Sequence, residues 1–97
     1  MVEFRKLVKN NGRPFTGNAH VEVNGDIISL RSYSTIVCQV VNGKFRKTWN
    51  GYSVSTARHI QMFCLEYAYS WWFNEGRPER GTWKAHWLDL PTSEVAY

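Results

Sequence analysis

The stretch Ile36–Trp49, which reads IVCQVVNGKFRKTW, predicts a β-hairpin. Its centre is Asn42-Gly43, and Asn-Gly between alternating apolar runs is typical of a two-residue type I′ turn, because both residues tolerate positive φ. Residues opposite each other in a hairpin share a face of the sheet. The predicted pairs are Val41 with Lys44, Val40 with Phe45, Cys38 with Lys47 and Ile36 with Trp49. One face is then apolar and is interrupted only by Lys47.

A second hairpin is predicted around Asn24-Gly25, where a two-residue loop pairs Val21 with Ile28 and Ala19 with Leu30. Two further Asn-Gly pairs occur at 11–12 and 50–51, and the Asn- and Gly-rich stretch 9–18 indicates a loop. The predicted strands are Val2–Val8, Ala19–Val23, Ile27–Tyr33, Ile36–Val41 and Lys44–Trp49.

Beyond residue 55 the apolar spacing changes from two to three or four, which predicts a helix over residues 55–74. Ser55 or Thr56 is expected to cap its first turn. The helix is apolar nearly all round, so something must cover its second face. The C-terminal segment Thr82–Leu90 or a partner protein could do so, and the pattern fits either helix or strand for that segment.

These elements predict an α+β fold, in which an antiparallel β-meander of four or five strands carries one long α-helix on one face. With 97 residues, the chain is expected to form a single domain. Its parts are the meander (1–50), the helix (55–74) and a Trp-rich C-terminal segment (82–97).

Charge is divided unevenly along the chain. Residues 1–58 hold nine Lys or Arg against three Asp or Glu, whereas residues 59–97 hold three against five. The N-terminus has no apolar signal region, no run is long enough to span a membrane, and two cysteines allow at most one disulfide. We therefore expect a cytoplasmic protein without membrane association.

Catalytic and metal-binding motifs are missing from the pattern. The chain has no CxxC, HxxxH, GxxxxGK[ST] or GxGxxG motif, and Cys38 and Cys64 both fall on predicted core faces. No enzyme activity, metal or cofactor is predicted.

Four residues at the start of the helix combine hydroxyl, guanidinium and imidazole groups, namely Ser55, Thr56, Arg58 and His59. A helix N-terminus favours anions, so these residues form a candidate anion site. The alternative is that Ser55 or Thr56 is simply a helix cap and His59 a surface or packing residue, which is the commoner arrangement.

Cations and one aromatic residue alternate along the predicted strands, at Arg5, Arg31, Tyr33, Lys44 and Arg46. On an open sheet face they would suit single-stranded nucleic acid, which needs cations for the backbone and rings for stacking. Nucleic-acid binding is one candidate function.

Two segments carry a family resemblance. Ser32–Val37 (SYSTIV) and Ser53–Ile60 (SVSTARHI) resemble the SYxTxV strand and SxTTxxHI helix start of a family of small, largely uncharacterised phage and prophage proteins. The similarity covers about residues 28–63. It implies a phage accessory protein without implying a reaction, and it implies that Tyr33, Thr56 and His59 matter to the family.

The leading functional hypothesis is a non-enzymatic, phage-encoded binding protein that acts on a host protein or ribonucleoprotein, such as an anti-CRISPR inhibitor. Trp and Tyr dominate protein interfaces, which makes Tyr69, Trp72, Trp83 and Trp87 the candidate contact residues. The alternatives are a nucleic-acid-binding protein and a homodimer formed through the helix.

Overall fold

The computed structural model describes residues 2–8, 12–13 and 18–97, and it confirms the α+β fold. Five strands form one antiparallel sheet in the order β1-β2-β3-β4-β5, as in a meander. The predicted loop at 9–18 and the Asn11-Gly12 turn lie largely outside the described residues. The strand bounds are Glu3–Lys6 (β1), Ala19–Asn24 (β2), Ile27–Ser32 (β3), Thr35–Val41 (β4) and Lys44–Lys47 (β5).

The β4–β5 hairpin has the predicted register. Val40 lies opposite Phe45, and Cys38 lies opposite Lys47. Asn42 and Gly43 both have positive φ, at 51° and 80°, as a type I′ turn requires. The ladder ends at Lys47, so the predicted pairing of Ile36 with Trp49 is wrong.

The predicted register of the β2–β3 hairpin is also wrong, by two residues. Val21 pairs with Leu30, and Asn24 pairs with Ile27, so the loop consists of Gly25 and Asp26. Gly25 has a φ of 60°, and glycine at the first loop position is the preference of type II′ turns. Because the slip is an even number of residues, each side chain stays on its predicted face.

Helix α1 (Val54–Tyr67) packs on the face of the sheet that carries Val21, Leu30 and Cys38. We call this the helix face, and the other face the outer face. All three side chains are fully buried. They pack in one core with three residues of α1, namely Ile60, Phe63 and Cys64.

The single long helix predicted for residues 55–74 is wrong, since the segment is broken. Ala68 leaves helical geometry with φ −141° and ψ 45°. Beyond it lie α2 (Tyr69–Trp71) and a π-helical segment (Trp72–Gly76). Alanine is the best helix former, so local propensity does not explain the break. Packing does, because Trp71 then stacks on Phe45 of β5 with ring centroids 3.7 Å apart.

The C-terminal segment folds back on the domain, as one of the two alternatives predicted. Helix α3 (Trp83–Asp89) begins at Thr82, whose Oγ1 accepts a hydrogen bond from the amide of Ala85. Trp87 is the largest side chain that is fully buried, and its indole N–H donates to Gly51 O at 3.0 Å.

Lys47, the charge that interrupts the apolar face, holds α3 in place. Its side chain is 3% exposed. The ammonium donates to the carbonyl oxygens of Trp87 at 2.7 Å and Leu90 at 2.9 Å, and to Asn50 Oδ1 at 3.1 Å. Cations are favourable partners for the last carbonyls of a helix.

After α3 the chain passes around the edge of β5 to the outer face. Thr92 forms a parallel bridge with Lys47 at that edge. On the outer face the amide side chain of Gln39, which is fully buried, donates to Ala96 O and accepts from Ala96 N. The side chain of Gln39 thereby satisfies both backbone groups of Ala96, as the backbone of a neighbouring strand would. Among the described residues, no helix is long and apolar enough to cross a membrane.

Candidate functional site

Three of the predicted nucleic-acid-binding residues share the outer face: Arg31, Lys44 and Arg46. The positive charge of Arg31 is partly neutralised, because its guanidinium forms an ion pair with Glu22. That contact lowers the pKa of the Glu22 carboxyl and raises the pKa of Arg31. Arg46 donates to Glu94 O in the tail. Lys44 is exposed beside the β4–β5 turn.

The other two residues of that prediction lie elsewhere. Arg5 is opposite Val21 and therefore belongs to the helix face, where it forms an exposed ion pair with Glu3. Tyr33 is not in a strand, since it occupies the β3–β4 turn with φ 56°. Its ring centroid lies 6.1 Å from that of His59. The structure thus does not bring all five residues together on one face.

The helix cap is Ser53 rather than Ser55 or Thr56, and α1 begins at Val54. Ser53 Oγ accepts the amide of Thr56 at 3.1 Å. Ser53 has an extended backbone, as a cap residue does. The prediction missed it because three hydroxyl residues, at 53, 55 and 56, all suit this position.

Thr56 and His59 are buried and meet Ser32 of β3. Ser32 Oγ lies 2.9 Å from Thr56 Oγ1 and 2.9 Å from His59 Nδ1. All three residues are less than 5% exposed. Burial lowers the pKa of His59, which favours the neutral ring. This network joins the sheet to the first turn of α1 and is not open to a ligand.

Of the predicted anion-site residues, Ser55 and Arg58 remain exposed. The four residues therefore divide into a buried pair, Thr56 and His59, and an exposed pair. Arg58 belongs to a different feature, the groove described below.

The predicted interface residues also divide by burial. Trp72 is 5% exposed and Trp87 is 0% exposed, so both belong to the core. Trp83 is half-buried and stacks on Trp87, with centroids 5.2 Å apart. Tyr69 is 60% exposed and lies at the surface.

Tyr69 is part of an exposed aromatic surface that the sequence did not single out. Its ring lies 4.5 Å from that of Phe73, centroid to centroid, and Phe73 is 41% exposed. The guanidinium of Arg77 lies 4.3 Å from the Phe73 ring centroid, within reach of a cation–π contact. We call Tyr69, Phe73 and Arg77 the aromatic surface.

An open groove of about 420 Å³ runs beside this surface, between α1, the π-helical segment and α3. Val54, Arg58 and Gln61 of α1 line one side. The lining is completed by Tyr52, Ala57, Trp72, Arg77, Pro78 and Trp83. The described residues of the lining thus include two arginines and no carboxylate.

Trp83 has an unusual polar atom. Its indole N–H is buried and has no hydrogen-bond acceptor among the described residues. A buried donor without a partner costs about 1–3 kcal/mol. Such groups are few in native structures and call for an explanation.

The chain matches the model of a family of unknown function (DUF8033) over residues 2–71, which is more than half of its length. The chain belongs to this family. The DUF8033 match contains the sheet, α1 and the buried network of Ser32, Thr56 and His59. Helix α3 and the tail lie beyond it. Comparisons with curated proteins and with solved structures give no match.

The DUF8033 region includes the segments Ser32–Val37 and Ser53–Ile60, and the structure shows what their residues do. Ser53 caps α1, and Ser32, Thr56 and His59 bond to one another. Local sequence could not reveal this, because 24 residues separate Ser32 from Thr56. In this chain these four residues support the fold.

Among the described residues, no three His, Cys, Asp or Glu side chains form a group that could hold a metal ion. Cys38 and Cys64 are free and buried. Burial raises the pKa of both thiols, so both are held in the protonated form.

Proposed function

We propose that this protein is a small, non-enzymatic binding protein of phage origin that acts on a host protein or ribonucleoprotein. An anti-CRISPR-like inhibitor is one form of that role. Support for the phage origin comes from the resemblance of the Ser32–Val37 and Ser53–Ile60 segments to phage proteins. Support for binding comes from the aromatic surface.

The aromatic surface carries the proposal because of its residue types and exposure. Tyr69 and Phe73 expose 60% and 41% of their area, and Arg77 lies over Phe73. Tyr and Arg are enriched among residues that dominate binding energy. Large apolar side chains grouped at a surface are typical of interaction sites. A partner would remove this area from water.

Capture from bacterial lysate tests the proposal. The tagged protein is compared with Tyr69→Ser plus Phe73→Ser, and bound proteins are quantified by mass spectrometry. A partner should be retained by the wild type and lost by the double variant. Tyr97→Ser is the matched control, since Tyr97 is 93% exposed outside the aromatic surface. Equal capture by all three proteins would count against the proposal.

The inhibitor form has its own assay. The protein is expressed in bacteria with active CRISPR immunity, and plaques of a targeted phage are counted. Restored plaque formation that depends on Tyr69 and Phe73 is the expected result. Unchanged immunity would exclude this form for the system tested.

Nucleic-acid binding is a second candidate, favoured by an exposed ring on the outer face. Phe4 is 69% exposed and lies 5.5 Å from the His20 ring, centroid to centroid. Fluorescence anisotropy with labelled single- and double-stranded DNA and RNA over a salt series tests it. Binding should weaken steeply with salt and be lost on Arg31→Ala plus Arg46→Ala. Flat traces at low salt would dismiss it.

The helix-mediated homodimer stays a prediction. Light scattering coupled to size exclusion measures the mass directly, and 11.3 kDa is the value for the monomer. A mass of twice that value would support it.

A further inference from the structure

We propose that the groove between α1, the π-helical segment and α3 binds an acidic peptide segment of a protein partner. The partner's carboxylates pair with Arg58 and Arg77, and an apolar side chain of the partner packs against the apolar and aromatic residues of the lining. This inference rests on the proposed function and adds the chemistry of the partner.

Charge complementarity is the first argument. Arg58 and Arg77 are both exposed and line the groove, and neither forms an ion pair within the described residues. The lining contributes no carboxylate to neutralise them. Guanidinium groups pair with carboxylates through two parallel hydrogen bonds. An acidic occupant is therefore favoured over a neutral or basic one.

The floor supplies the second argument. We call Ala57, Trp72 and Trp83, which are apolar or aromatic residues of the lining, the floor of the groove. With about 420 Å³ of open space, the groove can accept apolar side chains of a peptide. Burial of such a side chain contributes about 25 cal/mol for each Å² removed from water.

The ring contacts favour a peptide over single-stranded nucleic acid. Bases bind such grooves by stacking on open aromatic faces. Here Trp83 stacks on Trp87, and Trp72 is 5% exposed. The remaining ring, Tyr52, lies against Trp83 and has the ammonium of Lys84 5.4 Å from its centroid. The groove offers cations and apolar area without a ring face for a base.

The indole N–H of Trp83 gives the readout. It is a buried donor that lacks an acceptor among the described residues, in a side chain that lines the groove. A peptide that packs against the Trp83 side chain changes the surroundings of this N–H, although the nitrogen itself is buried. The resonance of this N–H should therefore move when a peptide binds.

The test uses the full chain with ¹⁵N-labelled tryptophan, and NMR follows the indole resonances. The probe is a short synthetic peptide that alternates Glu with Leu and Phe. Its match has every Glu replaced by Gln, and oligothymidylate is the nucleic-acid probe. We expect the acidic peptide to shift the Trp83 resonance in a saturable manner, while Trp49, outside the groove lining, stays in place. The Gln peptide should bind at least about tenfold more weakly.

Variants locate the site. Arg58→Gln plus Arg77→Gln should weaken binding of the acidic peptide roughly tenfold. Lys6→Gln plus Lys44→Gln removes the same charge from exposed positions outside the groove and should leave binding within about twofold. Ala57→Leu keeps every charge, fills the floor and should also weaken binding.

Several results would overturn the inference: no binding of the acidic peptide, equal binding of the Gln peptide, or equal losses in the two charge-removal variants. Saturable binding of oligothymidylate with no response to the peptide would overturn it in favour of nucleic acid. Suppose lysate capture depends on Tyr69 and Phe73 but not on Arg58 or Ala57. The groove inference then fails while the proposed function stands. Capture that depends on neither surface removes the proposed function itself.

Discussion

Replacement of Lys47 by methionine should lower the free energy of unfolding by about 2 kcal/mol. The lysine ammonium is the hydrogen-bond donor to Trp87 O and Leu90 O at the end of α3. Methionine has a similar length and no donor. The two carbonyl groups would then face an apolar side chain inside the domain.

The magnitude follows from opposing contributions. A buried carbonyl without a partner costs about 1–3 kcal/mol, and Trp87 O is in a buried contact. Leu90 O is partly buried and should add less. Against this, methionine avoids the cost of burying a charge. That cost is reflected in the pKa of Lys47, which burial lowers while nearby Asp89 opposes the shift. The cost of leaving the two carbonyl groups without a donor exceeds the avoided cost of burying the ammonium. The net decrease in the free energy of unfolding is about 2 kcal/mol.

Urea unfolding followed by tryptophan fluorescence measures the change. For a domain of this size the slope is about 1–2 kcal/mol per molar urea, so the midpoint should fall by about 1–2 M. Lys44→Met is the matched control, because Lys44 lies on the same strand and is exposed. It should change stability by less than about 0.5 kcal/mol.

Amide exchange gives a local readout of the same substitution. Protection should fall more in α3 than in α1, because Lys47 bonds the end of α3 directly. A Lys47→Met protein as stable as the Lys44→Met protein, or equal loss of protection in both helices, would refute the reasoning.

Three further outcomes are expected. Burial lowers the pKa of His59. As the pH decreases below about 6.5, the unfolded chain therefore takes up a proton that the folded chain does not, and the free energy of unfolding decreases. Urea titrations at neutral and mildly acidic pH should show a smaller loss for His59→Gln than for wild type. Gln39→Leu removes both bonds to Ala96 and should free the tail, which backbone NMR relaxation at Ala96 would report as motion; unchanged relaxation would contradict it. Trp83→Phe deletes a donor that has no partner among the described residues, whereas Trp87→Phe deletes a paired one. Trp87→Phe should therefore lower the free energy of unfolding by about 1–2 kcal/mol more than Trp83→Phe does; equal losses would contradict this expectation.

The sheet was predictable because its information is local. Turn chemistry and side-chain alternation determine neighbouring strands, and the Asn42-Gly43 hairpin shows both. The error at Gly25 arose because Asn-Gly and Gly-Asp are both acceptable two-residue loops. A slip of two residues leaves the hydrophobic pattern unchanged, so that pattern could not detect it.

Long-range contacts account for what the pattern did not show. Lys47 interrupts an apolar face in the sequence, and two of its partners, Trp87 and Leu90, lie 40 and 43 residues further along the chain. The break at Ala68 depends on aromatic packing between α2 and β5. The groove was not predictable for the same reason, because its lining combines residues of α1 with Arg77 and Trp83 from later in the chain. Propensity and periodicity describe neighbours and contain no signal for these contacts.

The path of the tail has a consequence for the order of folding. Gln39 and Lys47 belong to one hairpin but hold residues from two faces of the sheet, at sequence separations of 57 and 40. Contacts over such distances form slowly, because a long loop must close first. Hairpins close on their own within microseconds. In pulsed hydrogen exchange during refolding, β4 should therefore become protected before α3. Until α3 and the tail dock, Trp87 and the outer face around Gln39 are exposed to water. The last fifteen or so residues pass around the edge of β5, so this edge of the sheet loses contact with water on both faces in one step.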